Sequence, residues 1–68
     1  MKYKITFRMV AVSPFSNELL RNKQMVSIVD ASSIEEAREE AERRIKRADE
    51  AFGGFVYLYV EDISPVNE

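Results

Sequence analysis

The chain has 68 residues, 46% of them hydrophobic and 32% charged, with two Gly and two Pro, which fits one minimal globular domain and excludes disorder, collagen-like repeats and a second domain. Cys and His are both absent, which removes disulfides, thiolate and imidazole metal sites, Ser-His and Cys-His nucleophile pairs and the usual pH switch. The net charge of -2 gives no bulk attraction to nucleic acid or anionic lipid, yet residues 1–29 carry +4 and residues 30–68 carry -6, so the two halves are electrically unlike.

The N-terminal Met1-Lys2-Tyr3-Lys4 is interrupted by charge where a signal peptide is continuously apolar, and no run approaches the ~18 apolar residues of a membrane span. A cytoplasmic protein with no membrane partner is expected. From Lys2 to Val12 the residues alternate, with Tyr3, Ile5, Phe7, Met9 and Ala11 on one side and Lys2, Lys4, Thr6 and Arg8 on the other, which predicts a first strand over 2–12 buried on one face. Ser13-Pro14 and Asn17 then break the pattern, predicting a loop over 13–22 with a short helical turn near Ser16. Phe15, Leu19 and Leu20 are more apolar than a solvated loop requires. Residues 23–31, rich in β-branched and apolar side chains, predict a second strand antiparallel to the first.

The strongest local signal is Ser32-Ser33-Ile34-Glu35-Glu36, in which either serine finds a glutamate three residues later and can cap a helix. Ile34, Ala37, Ala41, Ile45, Ala48 and Phe52 recur at spacings of three and four, a narrow stripe whose alanines let a helix over 33–51 lie close to a sheet. Glu35, Glu36, Glu39, Glu40 and Glu42 precede Arg43, Arg44, Lys46 and Arg47, an order that complements the helix dipole. Gly53-Gly54 stops the helix. Phe55 to Ile63 predicts a third strand, followed by a frayed tail from Ser64-Pro65. A right-handed β-helix-β crossover joins parallel strands. The expected fold is therefore α+β, β-β-α-β, with a three-stranded sheet in the order 2-1-3 and one helix on one face.

One helix covers one face, so strand alternation decides what the other face shows. Tyr3, Ile5, Phe7 and Met9, with Val56, Leu58 and Val60, form the inner set. In the second strand the inner set is taken as Met25, Ser27, Val29 and Ala31, because Val29 and Ala31 lead into the helix. Lys4, Thr6, Arg8, Val10, Val26, Ile28, Tyr57 and Tyr59 then share the open face, which is more apolar than a small monomer ordinarily shows to water. A second copy of the chain, a different protein, or bases stacked on Tyr57 and Tyr59 with phosphates on Lys2, Lys4 and Arg8 would each cover it.

Reactive chemistry is sparse. The helix glutamates lie on a solvated face beside arginines, Gly53-Gly54 follows a helix where a phosphate-binding turn precedes one, and the serines have no base. No catalytic residue, metal ligand or cofactor is expected. Around Arg43, Arg44, Lys46 and Arg47, interleaved glutamates offset the charge that phosphate would need.

The joint Val29-Asp30-Ala31-Ser32-Ser33-Ile34-Glu35-Glu36-Ala37 resembles the V-x-A-x-S-x-E-E-A joint of small phage and plasmid β-β-α-β proteins, the DpnD/PcfM-like domains and, more loosely, the HicB-type antitoxins, over residues 23–50. In size and style the chain is similar to phage-encoded anti-defence inhibitors of the anti-CRISPR type. The resemblance implies a phage or mobile-element setting, in which a lone domain of this size is expected to be a non-enzymatic module that binds another protein, such as a host defence complex. The uncovered face and the 13–22 loop make Lys4, Arg8, Phe15, Leu19, Val26, Ile28, Tyr57 and Tyr59 the expected contact residues, and self-association on that face makes a homodimer the expected state. The alternative is a regulator that binds nucleic acid through the open face.

Overall fold

The computed structural model describes residues 1–67. Its elements are β1 (Lys2–Val12), β2 (Leu19–Asp30), α1 (Ile34–Phe52) and β3 (Val56–Pro65). They build a three-stranded sheet ordered β2-β1-β3, with β1 antiparallel to both neighbours. The α+β, β-β-α-β architecture expected from the sequence is therefore present. One layer of helix on one of sheet gives a slab whose Cα atoms span 44 × 20 × 12 Å.

Alternation in β1 sets the core. Tyr3, Ile5 and Phe7 are buried together with Val29 and Ala31, and α1 meets them with Ala37 and Ala41. Ile5 and both alanines have no exposed surface at all, so the helix touches the sheet where its side chains are smallest and its backbone can approach most closely. Ile45, Leu58 and Ile63 pack around this cluster. Beyond it the stripe runs out. Ile34 and Phe52, at the two ends of α1, are exposed, outside the cluster that the middle of the helix forms with the sheet.

Both helix termini are closed by local chemistry. The Ser33 hydroxyl accepts from the Glu36 backbone N–H at 3.2 Å, satisfying a donor that the first turn leaves unpaired. The carboxylate of Glu36 takes the Ser32 hydroxyl, so the two serines divide the work of a capping box between them. At the other end Gly53 adopts a left-handed φ of 56° and returns its N–H to the Asp49 carbonyl at 3.0 Å, the conformation that favours glycine.

The boundaries differ from expectation in instructive ways. The second strand begins at Leu19 rather than 23 and ends at Asp30, so the loop spans 13–18 and Leu19 and Leu20 belong to the sheet. Turn chemistry is the reason. Ser13 N–H donates to the Glu18 carbonyl at 2.8 Å, and Asn17, in left-handed conformation, returns its N–H to Ser13. The Ser13 and Ser16 hydroxyls accept from the Phe15 and Glu18 amides. The connection thus closes as one tight turn at Ser13 to Asn17, not a helical turn starting near Ser16. The helix runs over 34–52 instead of 33–51. The third strand runs over 56–65 instead of 55–63, and Val66 N–H still reaches the Lys2 carbonyl at 2.9 Å. The tail expected to fray from Ser64 is thus paired through Val66, while position 68 lies outside the described residues.

Two bulges interrupt the ladders. Leu20 is the extra residue opposite Ala11 and Val12, and Glu61 is the extra residue opposite Thr6 and Phe7. The second bulge has a structural consequence: it shifts the alternation of β3 by one, so Val56, Leu58 and Val60 and then Ile63 all fall on the helix side.

Candidate functional site

No helix among the described residues is long and apolar enough to cross a membrane, and among them there is no cluster of three acidic side chains able to hold a metal ion. The feature that remains is the sheet face away from α1. Its layout follows from the registers. Across β2, β1 and β3, the rows read Ile28, Lys4, Ser64; then Val26, Thr6, Asp62; then Gln24, Arg8, Tyr59; then Asn22, Val10, Tyr57. Leu19 pairs with Val12 at the end of the sheet, where Val12 N–H also donates to the Phe55 carbonyl.

The register places Val26 and Ile28 on this face and Val29 in the core, as the sequence reading required. Leu19, Val26, Ile28, Phe55, Tyr57 and Tyr59 are 42 to 58% exposed. Thr6, at the centre of the middle strand, is buried even though it points away from the helix. The apolar surface is divided. Val26 and Ile28 form one patch on β2, and Tyr57, Tyr59, Val10 and Val12 form another toward β3 and the hairpin end.

Arg8 sits between them. Its guanidinium meets Glu61, with Nε 3.2 Å from Oε1, and donates to Asn22 Oδ1 at 3.2 Å. The glutamate that bulges β3 is thus the one that neutralises the central arginine, and Arg8 ties the two outer strands together across β1. Lys4 remains exposed beside Ile28 and Ser64. A phosphate-binding face would need Arg8 free, whereas here its charge is already matched.

Phe15, at the tip of the hairpin, is 95% exposed. Truncating it removes almost no packed surface, so Phe15→Ala should leave the melting free energy within about 0.5 kcal/mol of wild type. Calorimetry checks this, and a larger loss would mean the hairpin tip packs on the domain.

The helix arginines are engaged as well. Glu40 receives Arg43 at 2.7 Å and Arg44 at 3.3 Å, and these hydrogen bonds hold its carboxyl below the ordinary carboxylate value. Glu40 in turn raises Arg43. Arg44 also reaches the Ser27 hydroxyl, the side-chain bridge from α1 to β2. The adjoining cleft of about 320 Å³ is lined by Ile28, Asp30, Glu36, Glu40, Arg43 and Arg44, and both of its arginines are paired with Glu40. A second groove of about 260 Å³ runs between α1 and β3, with Ile45, Val56 and Leu58 in it and Glu42, Lys46 and Asp49 on the helix rim. Sequence reasoning missed this groove, because it depends on how far α1 stops short of the outer edge of β3.

Met25 lies opposite Phe7 on the helix side yet is 41% exposed. The helix rests on β1 and β3 and leaves the hairpin half of β2 uncovered. Compared with protein-family models, with characterised proteins and with solved structures, the chain finds no match.

Proposed function

We propose that the chain is a non-enzymatic protein-binding module that docks a partner protein on the open face of its sheet. The observation that carries this reading is the exposure of Val26, Ile28, Tyr57 and Tyr59 on one face, area that a partner can bury at modest entropic cost. The pairing of Arg8 with Glu61 and Asn22 favours a protein over nucleic acid, because it neutralises the cation at the centre of the face and leaves Lys2 and Lys4, at one end of β1, as the exposed lysines of that strand.

The test uses Val26→Glu with Ile28→Glu, two exposed positions whose replacement leaves the core intact. Immobilised wild-type protein should retain a partner from cell extract that the double variant loses, with the variant's circular dichroism unchanged. Equal retention by both proteins would overturn the assignment of this face. A mixed-sequence single-stranded oligonucleotide provides the second arm. Binding that falls steeply with salt and disappears in Lys4→Glu with Arg8→Glu would instead make the chain a nucleic-acid binder.

A further inference from the structure

The outer edge of β3 has a property that the open face does not explain. In a strand the N–H and C=O of one residue point to the same side and successive residues alternate. Val12 N–H donates to the Phe55 carbonyl, and Tyr57 and Tyr59 pair with Val10 and Arg8. Phe55, Tyr57 and Tyr59 therefore turn their main chain toward β1. Val56, Leu58 and Val60 turn theirs outward, to an edge that no strand covers. This stretch ends at the Glu61 bulge, and up to that point it reads the same in both directions: Val56-Tyr57-Leu58-Tyr59-Val60.

We infer that a second copy of this chain pairs with this edge, β3 against β3, about a twofold axis through Leu58. An antiparallel twofold pairing matches each residue with its mirror position, so the palindrome sets Leu58 against the partner's Leu58, and Val56 against the partner's Val60. These are the residues whose N–H and C=O groups face outward, and each such pair exchanges both hydrogen bonds. Tyr57 then falls opposite the partner's Tyr59 in the closer, non-hydrogen-bonded positions, where cross-strand aromatic contact is strongest. The partner's Val and Leu side chains fall on the helix side, where the groove beside β3 already offers Ile45, Val56 and Leu58. The two sheets become one of six strands, with an α1 from each copy on the same side, and the tyrosine patches of both open faces join. A single five-residue edge is small for a permanent interface, so the dimer is a concentration-dependent one.

The inference goes beyond the docking reading: it concerns the main-chain edge of β3, whose Tyr57 and Tyr59 also belong to the docking face, whereas Val26 and Ile28, the positions changed in the docking test, lie across the sheet on β2. Sedimentation from micromolar to millimolar concentration should show the mass rising from 7.9 kDa toward twice that value. Over the same range, hydrogen exchange at the Val56, Leu58 and Val60 amides should slow. Tyr57→Glu with Tyr59→Glu places like charges opposite each other and should hold the protein at the monomer mass. Tyr57→Lys with Tyr59→Glu places opposite charges there and should restore the dimer. A wild type that stays monomeric throughout, or amides indifferent to concentration, would overturn the inference while leaving the docking face standing. A dimer lost in both double variants would also overturn it, because that pattern belongs to stacking of apolar faces.

Discussion

Ile5→Ala should cost about 2–5 kcal/mol, enough to leave the domain largely unfolded at physiological temperature. Ile5 is the largest side chain with no exposed surface, and it lies between Ser27 and Ile63 in the middle strand. Truncation leaves a cavity under Ala37 and Ala41 that the helix can fill only by sinking toward the sheet. A domain of this size has a net stability of a few kcal/mol, so the loss is comparable to the whole. Urea denaturation checks it, with Ile5→Val as the graded control at about 0.5–1.5 kcal/mol. A midpoint unchanged in Ile5→Ala would show that the core is not where α1 meets β1.

Ala41→Leu should be damaging in the opposite sense. Ala41 is wholly buried at the close approach of α1 to the sheet, where added methylene groups must push the helix away or force strained rotamers, at a cost of about 1–3 kcal/mol. The displacement would also open the contacts of Ile45 with the core. A melting temperature equal to wild type would contradict the helical face assigned from the spacing of Ile34, Ala37, Ala41 and Ile45.

Much of this arrangement was legible because burial imposes a period on the sequence. Tyr3, Ile5 and Phe7 alternate cleanly, Ala37 and Ala41 fall one helical turn apart, and Ser33 and Gly53 mark the ends of α1 by mechanisms that operate within a few residues. The facing of β2 could be read from Val29 and Ala31, which must lead into the helix. What escaped was set by partners distant in sequence. Leu19 to Asn22 has no alternation to announce a strand, and its pairing is imposed by closure of the Ser13 to Glu18 turn. The bulges at Leu20 and Glu61 are responses to register and leave no local signature. Ile34 and Phe52 fit the apolar stripe yet stay exposed, because helical periodicity says which way a side chain points and not whether the sheet extends beneath it.

At the candidate site the same division holds. Val26, Ile28, Tyr57 and Tyr59 could be placed on one face by counting residues along strands. The pairing of Arg8 with Glu61 depends on the bulge and could not. Phe15 and Leu19, grouped in one loop by sequence, separate in the structure, the first at the hairpin tip and the second in β2 opposite Val12.

The central claim is that the uncovered sheet face is where a partner protein binds, and site-specific photo-crosslinking tests it most directly. A photoreactive side chain is introduced in turn at Val26 on the open face and at Arg38, an exposed position on α1. Irradiation in the cell should give a discrete protein adduct from position 26, lost when Ile28→Glu is added, and none from position 38. Adducts of equal yield from both positions, or an adduct at 38 alone, would contradict the account and place the working surface on the helix.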